Sequence, residues 1–190
     1  MSEEIKYSAA ILAGGKSSRF GRPKALSEFR GKPLIQWVME ALRLHCDELI
    51  LVGSDPGLKA FGYPLFEDRY PNIGPLAGIR EALLHCQNDH CLVMACDMPF
   101  LDSRLIKLLQ KHPRFDAVVP VHGGHIEPLA ACYSKKALPV IEAQIIAGHF
   151  KLRDAIEKMN YHYLQAEDYE DMPGKIFANL NTPEEWKKWQ

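Results

Sequence analysis

The feature that most constrains this chain is an alternation of short apolar runs with segments in which apolar residues recur at helical spacing. Residues 8–12 form an apolar run that ends in a glycine pair, residues 33–44 have helical periodicity, and residues 49–52 are again apolar. This order predicts a β-α-β unit. The alternation continues with predicted strands at 63–66, 91–96 and 116–121 and predicted helices at 74–86 and 103–111.

Repeated β-α-β order is typical of an open, mostly parallel sheet with helices on both faces. We therefore predict an α/β fold in a single domain over residues 1–190, because a chain of this length with 47% hydrophobic residues suits one core. The second half is less regular, and we expect it to extend the same sheet. Its predicted elements are a turn at 122–125, a strand at 128–133, and helices near 135–147, near 152–159 and from Thr182.

Composition excludes several classes of ligand and location. The formal net charge is -1, and the charged residues are mixed along the chain without the basic stripe that nucleic acid requires. No apolar run approaches the roughly 18 residues that span a bilayer, and the polar N-terminus does not resemble a secretory signal. We therefore expect a cytoplasmic protein that binds neither nucleic acid nor membrane, with its five cysteines reduced and mostly buried.

The densest functional signal is the loop of residues 12–24, Leu-Ala-Gly-Gly-Lys-Ser-Ser-Arg-Phe-Gly-Arg-Pro-Lys, which combines three glycines with four cations. Glycines let backbone N–H groups approach phosphate oxygens, while Arg19 and Lys24 can neutralise the charge that grows on a leaving pyrophosphate. The spacing matches neither the P-loop nor the dinucleotide fingerprint. A solvated basic turn is the alternative, but the sequence favours a loop that binds a polyphosphate.

Asp97 stands directly after the apolar run 91–96, where open α/β sheets bind their ligands. Mg²⁺ prefers one or two carboxylates together with phosphate oxygens and water, so a single aspartate facing a triphosphate is sufficient. The alternative is that Asp97 caps the following helix, but Asp102 is better placed as that cap. We therefore expect Mg²⁺ as the cofactor, bound by Asp97.

Two further segments place carboxylates or amides at predicted strand ends: Glu67 with Asp68, and residues 179–182. A carboxylate there can accept hydrogen bonds from guanine N1 and N2, and an amide can complete a metal shell. Turn formation and helix capping are the alternative roles.

Seven segments resemble, in order, the molybdenum cofactor guanylyltransferase family. They are residues 12–15, 18–21, 23–26, 74–78, 96–100, 127–129 and 179–183. The Leu-Ala-Gly-Gly motif is common to many nucleotidyltransferases, whereas the Glu-Pro-Leu motif at 127 and the Asn-Leu-Asn-Thr-Pro motif at 179 are typical of this family. The resemblance implies transfer of GMP from GTP to the phosphate of molybdopterin, with release of pyrophosphate.

The resemblance also implies roles for individual residues. A nucleotide half would span about residues 1–100 and an acceptor half about residues 101–190. The implied nucleotide contacts are Leu12, Ala13, Gly14, Gly15, Lys24, Asp68 and Asp97; the catalytic residues are Lys24, Arg19 and Asp97; the metal ligands are Asp97 and, more weakly, Asn181; and the acceptor contacts are Glu127 and Asn179. Other molybdenum cofactor biosynthesis proteins and molybdoenzyme chaperones are the implied protein partners.

The sequence departs from the family pattern at three places. Phe20 stands where methionine is usual, Pro23 replaces an aspartate frequent in some members, and residues 52–54 lack an asparagine that helps some members read guanine. The changes at Phe20 and Pro23 both occur among relatives that use CTP or other nucleotides, so a cytidylyltransferase acting on molybdopterin or another small phosphorylated acceptor stays an alternative. A non-catalytic nucleotide-binding adaptor is the alternative from a different class, and the presence of both Lys24 and Asp97 argues against it.

Three side chains near these motifs have simpler interpretations than a role in chemistry. His122 and His125 flank a Gly-Gly turn and can contact an anionic substrate, although exposure in the turn is the plainer account. Cys96 has no histidine paired with it in the sequence, so we predict a buried thiol rather than a nucleophile.

Overall fold

The computed structural model describes residues 5–14, 23–70, 73–180 and 189. The strands are β1 (Tyr7–Leu12), β2 (Glu28–Phe29), β3 (Lys32–Pro33), β4 (Glu48–Val52), β5 (Leu65–Phe66), β6 (His90–Ala95), β7 (Ala117–His122), β8 (His125–Ile126), β9 (Ala130–Ser134) and β10 (Tyr161–Leu164). The α-helices are α1 (Leu34–Leu42), α2 (Pro75–His85), α3 (Ser103–Gln110), α4 (Leu138–Ile146) and α5 (Leu152–Ile156). Shorter 3₁₀ turns cover Lys24–Leu26, Pro56–Phe61, Lys135–Ala137, Ala166–Tyr169 and Gly174–Phe177.

Most of the described strands join one mixed sheet in the order β10-β7-β9-β6-β1-β4-β5, to which β8 adds by pairing with β7. Strand β1 pairs in parallel with β4 and β6, β4 with β5, and β7 with β10. Strand β9 lies antiparallel between β6 and β7. The prediction of one mostly parallel sheet, extended by the second half of the chain, is therefore confirmed.

The sheet buries apolar side chains on both faces, and β1 shows how the sequence divides them. Ala9 and Ile11 belong to one core cluster, whereas Ala10 and Leu12 belong to the other, because successive side chains of a strand point to opposite faces. Helices α1 and α3 contribute to the first cluster, and α2, α4 and α5 contribute to the second. The predicted placement of helices on both faces is confirmed.

Several local predictions differ from the structure. Strand β10 was not predicted, and the predicted strand at 63–66 is reduced to β5. The predicted helix at 135–147 is divided into a 3₁₀ turn and α4, since Pro139 has no N–H group and is tolerated only in the first turn of a helix. The predicted helix from Thr182 lies, apart from residue 189, outside the described residues.

The topology gathers the carboxyl ends of β1, β4, β5, β6, β7 and β10 at one edge of the sheet. Ligands of open α/β sheets bind at this edge, and the predicted site residues follow these strands. None of the helices in the described ranges has the length and apolar character needed to cross a membrane.

Candidate functional site

The start of the glycine loop leaves β1 between the ends of its two neighbouring strands. Cys96 donates its N–H to the Leu12 carbonyl (3.1 Å), and Ala13 donates its N–H to the Val52 carbonyl (2.8 Å). These bonds extend the parallel pairing one residue beyond Leu12, whose register partners are Val52 and Ala95. The Ala13-Gly14 backbone is therefore fixed at the centre of the ligand-binding edge.

Close packing holds the same backbone from both sides. A Cβ atom at Gly78 of α2 would lie 3.1 Å from Leu12 Cδ1, and one at Gly53 would lie 3.2 Å from the Ala13 carbonyl carbon. Around Gly14, by contrast, a Cβ would meet nothing within 4 Å, and this residue is exposed. Leu12 has a buried side chain and can offer a nucleotide only backbone atoms, whereas the Gly14 backbone faces open space.

Lys24 and Asp97 come together at this edge. Lys24 opens the 3₁₀ turn that follows the glycine loop, and its ammonium group donates to Asp97 Oδ2. Each side chain is 15% exposed, so the ion pair is largely withdrawn from water yet open on one side. The structure thus joins two motifs that the sequence analysis predicted to be catalytic.

The second oxygen of Asp97 is available for a ligand. Within the described part of the chain, Asp97 Oδ1 is buried and has no hydrogen-bond partner. A buried carboxylate oxygen left unpaired costs free energy, and hard divalent cations prefer such oxygen donors. No group of three or more His, Cys, Asp or Glu side chains arranged for a metal occurs in the described ranges. The residues present therefore fit an ion that takes most of its ligands from phosphate and water, as Mg²⁺ does.

Asp68 lies at the end of β5, on the other side of the glycine loop. Its Oδ1 accepts the N–H of Tyr70 (2.8 Å) in a tight turn. Partial burial raises the pKa of the Asp68 carboxyl, the Tyr70 N–H lowers it, and the charge of Glu81 raises it further. Three strand spacings, about 14 Å, separate β5 from β6, so Asp68 and Asp97 face different parts of any ligand that lies across the edge.

The two predicted acceptor residues lie on the other side of Asp97. The N–H of Leu180 donates to the Asp97 carbonyl (3.1 Å), which places Asn179 beside the β6 end. Glu127 lies in the connection from β8 to β9, where its N–H donates to the Pro120 carbonyl (2.8 Å). Burial raises the pKa of the Glu127 carboxyl.

A cavity of about 270 Å³ opens beyond the end of β7, and its lining includes neither Glu127 nor Asn179. His122, Tyr169, Met172 and Phe177 contribute to its wall. The His122 and Phe177 rings lie 5.0 Å apart and the Tyr169 and Phe177 rings 5.4 Å apart, between centroids. Burial raises the pKa of Tyr169, and the charge of Glu127 raises it further, so the Glu127 carboxylate is within electrostatic reach of this wall.

Sequence reasoning missed most of this cavity. The expectation that both turn histidines are exposed holds for His125, but His122 is half-buried against Phe177. Tyr169 and Phe177 lie on short 3₁₀ turns, which have no periodic pattern that a sequence could reveal.

The thiol of Cys96 is buried, as predicted. Burial, with a smaller contribution from the Asp97 charge, raises the pKa of Cys96 to about 12, which does not suit a nucleophile at neutral pH. Three predicted site residues, Gly15, Arg19 and Asn181, lie outside the described residues.

Comparison with known proteins, in sequence and in fold, places this chain in the family that its motifs resemble. The model of the MobA-like NTP transferase domain matches residues 9–165. A Clostridium perfringens protein named "Probable molybdenum cofactor guanylyltransferase" is 36% identical over 190 residues, with 96% of each chain covered. A Geobacillus protein of the same name is 32% identical over 190 residues, covering 95% of this chain and 96% of its own.

Among solved structures, the chain is similar to a molybdopterin-guanine dinucleotide biosynthesis protein A from Archaeoglobus fulgidus. The two share 30% sequence identity with a TM-score of 0.81, and 95% of each chain is covered. The similarity therefore extends over both halves of the sheet, including the part that carries Glu127 and Asn179.

Proposed function

Because this chain belongs to the MobA-like NTP transferase family, we propose that it transfers GMP from GTP to the phosphate of molybdopterin and releases pyrophosphate. The observation that carries the proposal is the meeting of Lys24 and Asp97 at the carboxyl edge of the sheet. Relatives named for guanylyl transfer in molybdenum cofactor synthesis, aligned over nearly the whole chain, support the choice of substrates.

In this reaction an oxygen of the acceptor phosphate attacks the α-phosphorus of GTP. A new P–O–P bond forms to the acceptor, the bond between the α-phosphorus and the bridging oxygen breaks, and the electron pair leaves with pyrophosphate. The attacking oxygen is already anionic at neutral pH, so no general base is needed. Positioning and charge stabilisation therefore supply the acceleration.

The chain's own groups divide this work. The Ala13 N–H is already donated to the Val52 carbonyl, so Gly14, whose backbone lies at the same edge and faces open space, would donate its N–H to a phosphate oxygen. Lys24 holds a positive charge beside the same edge and would stabilise the charge that develops on pyrophosphate. Arg19, which also belongs to the glycine loop, is proposed to add to that charge.

The proposed cofactor is Mg²⁺, held by Asp97 with Asn181 as a weaker ligand. The buried Oδ1 of Asp97 supports this assignment, since it finds no partner among the residues that the structure describes. When bound, Mg²⁺ would neutralise phosphate charge in the nucleotide.

Asp68 is proposed to read the base. Its carboxylate can accept from guanine N1–H and N2–H₂, donors that cytosine does not present. The hydrogen bond from the Tyr70 N–H to Asp68 Oδ1 (2.8 Å) supports this assignment, because it fixes the carboxyl group at the end of β5.

The cavity beside Glu127 is proposed to receive the pterin ring system of the acceptor. Its wall of aromatic and apolar side chains suits a flat heterocycle, and the Glu127 carboxylate can accept from pterin N–H groups. Phe177 and Leu180 are three residues apart, a reach of at most about 10 Å, so a ligand in the cavity can extend to the Asp97 edge.

We also propose that the protein acts in the cytoplasm, with molybdenum cofactor biosynthesis proteins and molybdoenzyme chaperones as partners. Its soluble substrates and its family support this setting. The balanced surface charge, -1 overall, agrees with small-molecule substrates rather than nucleic acid.

One experiment tests the reaction and its alternatives together. The protein is incubated with Mg²⁺, each nucleoside triphosphate in turn, and molybdopterin with its metal, and products are identified by mass. We expect the guanine dinucleotide together with pyrophosphate. The cytosine dinucleotide would identify a cytidylyltransferase, and nucleotide binding without any product would identify an adaptor.

A second experiment tests the acceptor cavity. Phe177→Leu preserves apolar volume but removes the ring, so we expect the KM for molybdopterin to rise about tenfold with the KM for GTP unchanged. Phe115→Leu, at an aromatic contact with His162 away from this cavity, is the matched control. A rise in the GTP KM instead would assign the cavity to the nucleotide.

A further inference from the structure

Arg80 is a charged residue buried in the middle of α2. It is 7% exposed and is therefore buried like the apolar residues Leu76, Ile79 and Leu83 of the same helix. Its Nη1 donates to Glu81 Oε1 (2.6 Å), and its Nε and Nη2 donate to Glu142 Oε1 of α4 (3.1 and 2.8 Å). A buried ion network is no reliable source of stability, so its presence calls for a functional explanation.

The network faces the segment that carries Asp68. The Arg80 guanidinium carbon lies 5.4 Å from the centroid of the Tyr70 ring, and Tyr70 donates the N–H that fixes Asp68. One turn further along α2, the His85 ring stacks on Phe66 with centroids 4.0 Å apart and an angle of 6° between the planes.

Glu81 lies between the Arg80–Tyr70 contact and the His85–Phe66 contact and interacts with a residue of each. Its Oε1 accepts from Arg80, while its Oε2 lies 3.4 Å from His85 Nε2. Glu81 is 3% exposed, and its charge is close enough to act on the Asp68 carboxyl. Without the Arg80 guanidinium, the carboxylates of Glu81 and Asp68 would repel each other near the end of β5.

We propose that Arg80 is a positioning residue for base recognition, which holds the turn from Phe66 to Tyr70 and balances Glu81 so that Asp68 faces the guanine. The inference rests on the proposed function of Asp68. Arg80 itself touches no reacting atom, and it acts through the Tyr70 ring and the Glu81 carboxylate. Its bond to Glu142 anchors the guanidinium to α4, so that its position does not depend on α2 alone.

A purely structural role for Arg80 predicts a different result. If the network only ties α2 to α4, its loss lowers thermal stability and weakens all nucleotides equally. If it positions Asp68, its loss weakens GTP selectively, because the proposed phosphate contacts at Gly14 and Lys24 are untouched. The ratio of GTP to CTP affinity therefore separates the two roles.

The test uses the chain of residues 1–190 with three separate substitutions. Arg80→Lys keeps the positive charge, but a lysine lacks the planar guanidinium group whose separate nitrogens bond to Glu81 and Glu142. Glu142→Gln, at a side chain that is 41% exposed, loosens Arg80 without leaving its buried charge unpaired, because Glu81 still pairs with it. Glu157→Gln removes a carboxylate from an ion pair on α5 and is the matched control. Calorimetry with Mg²⁺ and no acceptor gives Kd for GTP and for CTP, steady-state turnover with molybdopterin gives kcat, and thermal unfolding gives Tm.

We expect Arg80→Lys to lower the preference for GTP over CTP about tenfold, and Glu142→Gln to lower it about threefold, with kcat at saturating GTP within about twofold of wild type. The control should keep the wild-type ratio. An unchanged ratio in both variants, or an equal loss for GTP and CTP, overturns the inference. A wild-type protein without guanine preference instead refutes the proposed base choice, which keeps the two failures distinct.

Discussion

The ammonium group of Lys24 pairs with Asp97 Oδ2 across 73 positions of the sequence, and both side chains are 15% exposed. Lys24 follows the glycine loop after β1, and Asp97 follows β6, so the parallel pairing of these two strands brings them together. In the proposed reaction this ion pair would separate when the nucleotide binds, with Lys24 contacting phosphate and Asp97 binding Mg²⁺.

Replacement of Asp97 should separate catalysis from folding. Asp97→Ala is expected to abolish pyrophosphate release with a small change in Tm, because the side chain contributes an ion pair at the edge rather than apolar packing. Asp102→Ala is the control: Asp102 caps α3 by accepting from the Arg104 N–H (2.8 Å), so it should cost about 1 kcal/mol of stability and leave activity intact. Normal release by Asp97→Ala would refute the metal assignment.

Replacement of Lys24 should affect the transition state more than binding. Lys24→Met is expected to lower kcat by about 10²- to 10³-fold with a much smaller change in GTP Kd, since in the proposed reaction the Lys24 charge acts on the leaving pyrophosphate. Lys24→Arg should rescue poorly because the wider guanidinium has to fit beside Asp97. Equal losses in kcat and in affinity would make Lys24 a ground-state phosphate anchor.

Base selection should depend on Asp68. Wild type is expected to prefer GTP over CTP by at least roughly 10²-fold, and Asp68→Asn should reduce that preference about tenfold because the amide retains an acceptor but loses the charge. The measurement is kcat/KM for GTP, CTP and ATP at fixed Mg²⁺. Full guanine preference in the mutant would show that another group reads the base.

Burial of Glu127 should lower the stability of the folded protein at neutral pH, where the carboxyl group is charged. Burial raises its pKa above the ordinary 4.5, so the folded chain binds this proton more tightly than the unfolded chain. Its contribution to stability is therefore favourable at low pH and falls as pH rises above 4.5 through the folded pKa. Glu127→Gln is expected to raise Tm at neutral pH, with the gain vanishing in acid, while the molybdopterin KM increases.

A Tm for Glu127→Gln at or below that of wild type at neutral pH would contradict this account. A higher Tm with an unchanged KM would confirm the burial cost but remove Glu127 from the acceptor site. Thermal unfolding at several pH values and steady-state kinetics on the same preparations distinguish these outcomes.

The sequence by itself determined the local elements and the chemistry of the loops. The apolar runs before the glycine loop and before Asp97 predicted β1 and β6 to within a residue at each end, and Asp102 was recognised as the cap of α3. These features depend on side-chain period, backbone conformation and capping, all of which act over a few neighbouring residues.

Only the tertiary structure decided which of these loops share a site and what supports them. The antiparallel insertion of β9, the edge strand β10, the cavity at Phe177 and the Arg80 network all depend on partners distant in sequence. Strand β10 (Tyr161–Leu164) is too short for its alternation of apolar and polar residues to distinguish a strand from a linker. Arg80 is a charged residue in a helix, where exposure to solvent is the usual expectation, yet it is buried. Strand order and burial are set by packing of the whole chain, which no local pattern encodes.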